Sequence, residues 1–340
     1  MLSGLQPVCQ LTGSMPAISV LMPVYNGSRW LESSIESILK QTLIDFELII
    51  VNDGSTDLSL EIALSAQEQD SRVRVISLRE NKGLSNALNL GLASAKGVWI
   101  ARLDADDLSM PSRLKEQLSF LEDHPDVVLL GSGCSLVDED DISISSYLYP
   151  FSHSSIYRRL IWTRSCFPHS SVIFKRDIAL SLGGYSELFR RSQDIDLWLR
   201  FSEVGRLACI PKPLCSVRVH SSRLSSEDGG ARQIVFSSLA ILLHRVRLKY
   251  PDFVAVPSCL FESLYIRIAS SAEVKALIWL LRLKSCLRGQ FGRSTRAGNI
   301  LSIPTGVILN FVIRVLVVPI ELLLSRFLLF RQFIAFHPGS

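Results

Sequence analysis

Short apolar runs alternate with amphipathic stretches along the first 130 residues. Four of the runs have the length of buried strands: ISVLM (18–22), FELIIV (46–51), VRVIS (73–77) and VWIARL (98–103). Between them, apolar residues recur three or four positions apart, as on one face of a helix. Leu31, Ile35 and Ile38 show this spacing after the first run. Strands that alternate with helices predict an α/β fold with a mostly parallel sheet covered on both faces.

Each of these predicted strands ends in a polar, turn-rich segment. The four segments are PVYNG (23–27), NDGSTD (52–57), RENKG (79–83) and DADD (104–107). In open α/β sheets, ligands bind outside the carboxyl ends of the strands. We therefore expect the four segments to form one cleft, with carboxylates at two of the strand ends.

The densest charge lies in the fourth segment, where Asp104, Asp106 and Asp107 stand within four positions. Like charges this close repel each other, so the segment requires a positive partner. A helix start explains part of it, because Asp107 and Ser109 could cap the helix predicted near Pro111. Capping does not explain Asp104. Two carboxylates at a strand end can bind one Mg²⁺ or Mn²⁺ ion, since hard cations prefer oxygen ligands.

The pattern changes after residue 130. Further elements are predicted as strands at SVIF (171–174) and CSVRV (215–219), a helix at IDLWLRFSEV (195–204) and helices over 233–290. The predicted organisation is an N-terminal extension (1–16), an α/β domain (17–228), a helical region (229–299) and an apolar, basic tail (300–340). The extension lacks the pattern of a signal peptide, and Met15 is an alternative start.

The tail is apolar but interrupted by charge. A spanning helix needs about 20 apolar residues, whereas Arg314, Glu321, Arg326 and Arg331 recur here. Polar residues near one helical stripe predict an amphipathic helix that lies on a membrane surface. The alternatives are a helix packed on its own domain or on a second subunit, and a short re-entrant or spanning segment.

Composition narrows the class of protein. The formal net charge of +4 gives no footprint for nucleic acid. Arg and Lys concentrate among apolar residues after Leu242, which suggests contact with anionic lipid. The seven cysteines are scattered without a C-x-x-C pair, as expected in a reducing compartment. We expect a cytoplasmic protein at the inner face of the cell membrane.

Five motifs occur in order along the chain. They are ISVLMPVYNG, LIIVNDGSTD, NKGLSNALN, LDADD with PSRL, and QDIDLWLR. Over residues 17–222 they resemble the inverting, nucleotide-sugar-dependent glycosyltransferases of family 2. The resemblance implies the GT-A fold, a Rossmann-like mixed sheet with helices on both faces. We expect this domain to be followed by a helical, amphipathic C-terminal tail.

The resemblance also implies roles for the donor side of the cleft. Asp106 is expected to bind Mg²⁺ or Mn²⁺, and Asp104 to contact the ribose or the metal. Asp107 is expected behind them or in a cap. The other predicted nucleotide-sugar contacts are Pro23, Val24 and Tyr25 beside the base, Asp53 accepting a hydrogen bond from the base, and Lys82 at the base or phosphates. The alternatives are an Asx-turn for Asp53 and a merely solvated side chain for Lys82.

Inversion in one step requires a carboxylate that takes the proton of the acceptor hydroxyl. QDIDLW offers Asp194 and Asp196, and by resemblance Asp194 is the base. Gln193 stands where the family commonly has an acidic residue. Asp196 is expected to cap or orient the helix, and the plain alternative is that both aspartates only cap it.

By resemblance to an R-x-H pattern, His220 is expected at the metal or diphosphate and Arg218 at a phosphate. His169 is expected either on the acceptor side or hydrogen-bonded in the core. Trp162 and Trp198 are expected in the core rather than against a sugar.

The expected activity is transfer of one sugar from a nucleoside diphosphate-sugar to a saccharide acceptor in surface polysaccharide synthesis. A lipid-linked saccharide is the expected acceptor. Rival interpretations are a non-catalytic relative that binds sugar or nucleotide, and a sugar-nucleotide pyrophosphorylase. The second would require a Gly-rich, basic loop after the first strand, which PVYNGSRW is not. Nothing in the sequence indicates an oligomer.

Overall fold

The computed structural model describes residues 15–162, 166–220 and 231–249, together with 261, 262, 265 and 266. The strands are β1 (Ile18–Val24), β2 (Phe46–Asn52), β3 (Val73–Ser77), β4 (Trp99–Arg102), β5 (Leu108–Ser109), β6 (Val127–Val137), β7 (Ser143–Tyr147), β8 (Ile173–Lys175) and β9 (Arg206–Arg218). The helices are α1 (Ser28–Leu39), α2 (Ser59–Gln69), α3 (Leu84–Ser94), α4 (Arg113–Asp123), α5 (His153–Leu160), α6 (Arg176–Ser181), α7 (Gln193–Val204) and α8 (Ala231–Lys249). A short 3-10 helix spans His169–Ser171.

The strands form one mixed sheet in the order β3-β2-β1-β4-β8-β6-β9-β5, with β7 paired to β6. The pairings among β1, β2, β3 and β4 are all parallel, as the alternation of strands and helices predicts. The central strand β1 aligns Ile18 with Phe46 of β2 on one side and with Trp99 of β4 on the other. β8 reverses direction beside β4, so the second half of the sheet is mixed.

Alternate residues of the parallel strands feed two cores, one on each face of the sheet. Leu21 and Ile49 face the core that contains α3, α5, α7 and α8. Their neighbours Val20 and Leu48 face the core that contains α1 and α4. A strand buried on both faces is apolar at every position, which is why these strands appear as continuous apolar runs in the sequence.

Three predicted elements differ from the observed ones. The strand predicted at 171–174 begins two residues later, because His169–Ser171 forms the 3-10 helix. The helix predicted at 195–204 begins earlier, at Gln193. The strand predicted at 215–219 is only the end of the long strand β9. β9 contains two prolines near its middle, Pro211 and Pro213, and pairs with β6 through register shifts, so this part lacks the usual strand pattern.

Helix α8 begins within the segment predicted as a boundary, and it packs on the same core as α7. The division of the chain at residue 229 stays a prediction. The predicted membrane tail lies outside the described residues. Among the helices that the structure describes, none combines the length and apolar character needed to cross a bilayer. The described cysteines Cys134, Cys166, Cys209 and Cys215 are buried free thiols.

Gly97 precedes β4 where the backbone runs close to β1. Its N–H donates to Ser19 Oγ at 2.8 Å, and a Cβ there would lie 2.5 Å from the Ser19 nitrogen. Because strand backbone cannot move aside easily, we expect Gly97→Ala to lower the free energy of unfolding by about 1–3 kcal/mol, measured by urea denaturation. The control Ala93→Ser, at an exposed position of α3, should change it by less than about 0.5 kcal/mol. Equal stability of Gly97→Ala and wild type would contradict this packing.

Candidate active site

The loops at the ends of β1 and β2 are joined by side-chain hydrogen bonds. The N–H of Asn26 donates to Ser55 Oγ at 3.0 Å, and Asn26 Oδ1 accepts the N–H of Thr56 at 2.8 Å. Asn26 has a φ of 51°, a left-handed conformation that Asn tolerates better than most residues. Asn26 therefore lies in the predicted turn and also connects the loops that follow β1 and β2.

Asp57 also connects the same two loops. Its Oδ2 accepts the N–H of Ser28 at the start of α1. Its Oδ1 accepts both the N–H and the hydroxyl of Ser59 at the start of α2. Partial burial raises the pKa of Asp57, but hydrogen bonds from Ser59 and Ser28 outweigh it and lower the pKa to about 2. One carboxylate thus satisfies the first turns of two helices, as a capping aspartate does.

Asp53 fixes the third loop. Its Oδ1 accepts the N–H of Lys82 at 2.8 Å and its Oδ2 accepts the N–H of Gly83 at 2.9 Å. The side chain is buried at the end of β2. Asp53 does not form a local Asx-turn, because its carboxylate accepts these two N–H groups from a different loop. Contact with a nucleotide base stays a prediction for Asp53, whose oxygens each have a second lone pair.

The other predicted donor contacts border this part of the cleft. Pro23 and Val24 are buried at the end of β1, whereas Tyr25 is 51 % exposed. The Lys82 side chain is exposed, and its Nζ lies 4.0 Å from Glu80 Oε1. An ion pair this long and exposed contributes little, so Lys82 is free to turn toward a ligand.

The three aspartates of the fourth loop form one cluster. Ligand oxygens of Asp104, Asp106 and Asp107 all lie within 4.8 Å of one another. The side chains of Asp104 and Asp106 are 37 % and 29 % exposed, whereas Asp107 is 2 % exposed. The loop also reaches α1, because Ser34 Oγ donates to the carbonyl of Ala105 at 2.8 Å. Two carboxylates are therefore accessible from the cleft, with a third behind them.

Asp107 does not cap a helix; it lies buried behind Asp104 and Asp106, which was the other expectation for it. The two residues that follow it form β5, which pairs with β9 far along the chain, and α4 starts only at Arg113. Asp107 Oδ1 accepts the N–H of Arg218 at 2.9 Å, and its Oδ2 accepts the hydroxyl of Ser170. Burial, followed by the charges of Asp106 and Asp104, raises the pKa of Asp107 to about 8.

Ser109 does not cap α4 either. Its N–H donates to Ser37 Oγ at 3.0 Å, and its hydroxyl accepts a hydrogen bond from Gln41 Nε2 at 3.1 Å. Ser109 therefore ties β5 to α1.

Three buried arginines surround the acidic cluster. Arg102, Arg113 and Arg218 are each 0 % exposed. Arg102 Nη2 donates to Asp104 Oδ1, and Arg113 Nη2 donates to the carbonyl of Arg102 at 2.8 Å. No roles were predicted for Arg102 and Arg113. The available signals were a cation inside the otherwise apolar run VWIARL for Arg102 and the motif PSRL for Arg113.

The guanidinium of Arg218 forms hydrogen bonds to groups of the protein itself. Nη1 donates to the carbonyl of Asp106 at 2.6 Å, and Nε donates to Asp141 Oδ1 at 3.1 Å. Through these bonds Arg218 connects the acidic loop (residues 104–107) to the turn between β6 and β7. Phosphate pairing by Arg218 stays a prediction.

His220 lies where the resemblance implies, beside the acidic cluster. Its Nε2 is 2.9 Å from Asp106 Oδ2, and its ring packs on Trp30 with centroids 4.3 Å apart. Trp30 also lies under the guanidinium groups of Arg29 and Arg218. No role was predicted for Trp30, which packs against the imidazole and makes cation–π contacts with the two arginines.

Asp194 and Asp196 have different surroundings although one residue separates them. Asp194 is in the first turn of α7, and its Oδ1 accepts the N–H of Ile195 at 2.9 Å. Burial raises the pKa of Asp194, and the charge of Asp104 adds to it. Asp196 instead pairs with Arg200 at 2.6 Å and lies 3.8 Å from Arg247. Asp196 therefore anchors α7, which agrees with orientation rather than capping.

His169 and Trp198 are structural. His169 Nε2 is 2.9 Å from the hydroxyl of Tyr185. Burial and then the charge of Arg102 lower the pKa of His169 to about 3, so the ring is neutral at ordinary pH. Trp198 is 1 % exposed and packs edge-on against His169. Trp162 is half-buried at the end of α5.

The residues of the cluster fit a divalent cation. Asp104 and Asp106 offer accessible carboxylate oxygens, and His220 offers an imidazole next to Asp106. Oxygen ligands with one imidazole suit Mg²⁺ or Mn²⁺.

Comparison with known proteins shows which family this chain is similar to. The model of the glycosyl transferase family 2 matches residues 19–183. The putative glycosyltransferase EpsE of Bacillus subtilis is 39% identical over 195 residues, covering 56% of this chain and 69% of that relative. The O-antigen biosynthesis glycosyltransferase WbnJ of Escherichia coli is 38% identical over 184 residues, covering 54% and 70%.

A solved structure confirms the predicted GT-A fold. The mannosyltransferase PcManGT from Pyrobaculum calidifontis, in complex with GDP-Man and Mn²⁺, aligns with a TM-score of 0.56 and 17% identity. The alignment covers 89% of this chain and 87% of the mannosyltransferase.

Asp57 forms a hydrogen-bonded bridge between the first residues of α1 and α2, and this bridge makes the stability of the fold depend on pH in acid. Because its pKa is lowered on folding from 3.8 to about 2, its contribution is present above the ordinary value and is lost as the pH falls through about 2. We therefore expect Asp57→Asn to be less stable than wild type at neutral pH, with the difference shrinking toward pH 2. Thermal unfolding across pH measures this. The exposed α6 residue Asp177 supplies the control Asp177→Asn, which should lack that trend. A constant difference from neutral pH to pH 2 would contradict the bridge.

Proposed function

The chain belongs to glycosyl transferase family 2, and on that premise we propose that it moves one sugar from a nucleoside diphosphate-sugar to a saccharide acceptor with inversion. The proposed acceptor is lipid-linked, and the process is assembly of a surface polysaccharide. The observation that carries the proposal is the cluster of Asp104, Asp106 and Asp107 at the carboxyl end of β4.

The donor is proposed to lie across the four strand ends. Tyr25 is an exposed ring at the end of β1, and Asp53 and Lys82 belong to one hydrogen-bonded unit at the ends of β2 and β3. This arrangement supports binding of the base and ribose near these three residues. The diphosphate then reaches Asp104 and Asp106.

Asp104, Asp106 and His220 would hold Mg²⁺ or Mn²⁺. When bound, the ion neutralises charge that develops on the leaving diphosphate, as a Lewis acid. Trp30 and Arg218 keep His220 and the loop of Asp106 in place. These residues therefore hold the groups that would contact the leaving diphosphate in position before the acceptor binds.

Asp194 is proposed as the base. In a single inverting displacement, the acceptor oxygen bonds to the anomeric carbon as the bond from that carbon to the diphosphate breaks, and the hydroxyl proton passes to Asp194. Burial and the nearby charge of Asp104 make the Asp194 carboxylate a stronger base than an ordinary aspartate. The adjacent Asp196 is paired with Arg200, which supports Asp194 rather than Asp196 as the base.

A lipid-linked acceptor at the inner face of the cell membrane is supported by sequence. WbnJ is a named O-antigen biosynthesis enzyme of similar sequence. The residues after Leu242 combine basic and apolar side chains, which suits a peripheral contact with anionic lipid.

The metal and donor assignment can be tested without an acceptor. We expect one of UDP, GDP, dTDP and CDP to bind in a calorimetric titration, and its affinity to rise when Mn²⁺ is added. Asp106→Ala should reduce the metal-dependent affinity by at least about 100-fold, since an accessible ligand is lost. The exposed residue Asp126 supplies the control Asp126→Ala, which should bind as wild type does. Unchanged Mn²⁺-dependent binding by folded Asp106→Ala would refute the assignment.

The base assignment predicts a pH profile. Since Asp194 must be ionised to accept a proton and its pKa is raised, we expect kcat to fall on acidification at a higher pH than an ordinary carboxylate near 3.9 would give. Asp194→Asn should lower kcat by about 100- to 10,000-fold while nucleotide binding is retained.

Transfer is measured by release of the nucleoside diphosphate, with Asp123→Asn, at an exposed position of α4, as the matched control. Asp194→Asn with the kcat of wild type would exclude Asp194 as the base.

A further inference from the structure

We propose that helix α8 positions the catalytic base through a hydroxyl pair, Ser237 on α8 and Ser192 in the turn that precedes Asp194. This inference rests on the proposed role of Asp194. It assigns a function in catalysis to a helix that lies after the residues matched by the family model, 19–183.

Ser192 has an unusual backbone for its residue type. Its φ is 56° and its ψ is 24°, a left-handed conformation that L-residues other than Gly, Asn and Asp seldom adopt. The residue is 2 % exposed, directly before the first residue of α7. A buried serine is held in such a conformation only when its surroundings determine it.

The surroundings that hold Ser192 come from α8. Ser192 Oγ is 2.9 Å from Ser237 Oγ and 3.1 Å from the carbonyl of Gln233, and Ser237 Oγ donates to the same carbonyl at 2.7 Å. A serine bonded to a carbonyl four residues earlier is ordinary in a helix. Helix geometry does not explain the hydroxyl of Ser192, which comes from the turn before α7 and lies against the same two groups of α8.

Ser192 transmits its position to Asp194 through the backbone. The carbonyl of Ser192 accepts the N–H of Asp196 at 3.1 Å, which makes Ser192 part of the first turn of α7. Asp194 lies inside that turn. Rotation of the Ser192 peptide would therefore swing the Asp194 carboxylate, and a displacement of about 1 Å at a catalytic group can cost 100-fold in rate.

The other end of α8 is fixed to α7 independently. His244 Nδ1 is 2.7 Å from Glu203 Oε1, and Arg247 Nε donates to the same oxygen at 3.0 Å. His244 Nε2 also meets the hydroxyl of Tyr157 on α5 at 3.0 Å. With apolar side chains such as Leu239 and Leu242 fully buried between these ends, α8 is a rigid support on which the turn of Ser192 rests.

A double-mutant cycle tests this with the full chain. Ser237→Ala removes one hydroxyl, and Ser192→Gly removes the other while keeping a residue that accepts the left-handed backbone. We expect each to lower kcat by about 10- to 100-fold, with no change in the KM of the donor or in nucleotide affinity. The double variant should lose no more than Ser192→Gly alone, because loss of Ser192 Oγ already removes the contact that Ser237→Ala breaks.

Two controls separate positioning from general loosening. Ser202→Ala removes a hydroxyl from the far end of α7 that bonds its own helix, and Tyr157→Phe removes a bond at the far end of α8. Both should keep the kcat of wild type, although Tyr157→Phe should lower the Tm.

The outcomes distinguish the two proposals. Wild-type kcat in Ser237→Ala and Ser192→Gly, with Asp194→Asn inactive, would overturn this inference alone. An active Asp194→Asn would instead show that the base assignment has failed. Equal loss of kcat in Tyr157→Phe and Ser237→Ala would mean that α8 acts through stability, which would also overturn the inference.

Discussion

The structure depends on compensating the negative charge of Asp104, Asp106 and Asp107 at one strand end. Charges that are partly withdrawn from water require partners, because desolvation otherwise drives a carboxylate to its neutral form. The fully buried Arg102 pairs with Asp104, and Arg113 bonds behind Arg102. Arg218 bonds Asp107 through its backbone N–H and the Asp106 carbonyl through its guanidinium. Removal of the Asp104 carboxylate would take this partner from the buried charge of Arg102, so the acidic loop and its arginines depend on each other.

This constraint explains why the mixed half of the sheet belongs to the active site. Arg218 is the last residue of β9, and its N–H and guanidinium bond Asp107 and the Asp106 carbonyl. Ser170 in the 3-10 helix bonds Asp104 and Asp107. Segments more than 60 residues away thus complete a loop that the parallel strands only begin. His220 follows the same strand, so β9 both bonds the acidic loop and places the proposed metal ligand beside it.

The parallel half of the fold was predictable because its signals are local. A strand buried on both faces is a continuous apolar run, and the polar residues that follow it mark the cleft. The sequence left two places open for Asp107, since its partner Arg218 lies far along the chain and no local pattern records that pairing. Arg102 and Arg113 were missed likewise, because arginine is ordinarily exposed. Trp30 was missed because stacking on His220 depends on the tertiary fold.

The division of labour along the chain follows from the chemistry. The family model ends at residue 183, before Asp194, Arg218 and His220. Every donor of the proposed class carries the same diphosphate, so the strand-end loops that meet it have one task throughout the family. Acceptors differ in shape and linkage, and the base must be aimed at a different hydroxyl in each. With Asp194 as the proposed base, changes in α7 and α8 can redirect it, while the acidic loop and its buried arginines stay as they are.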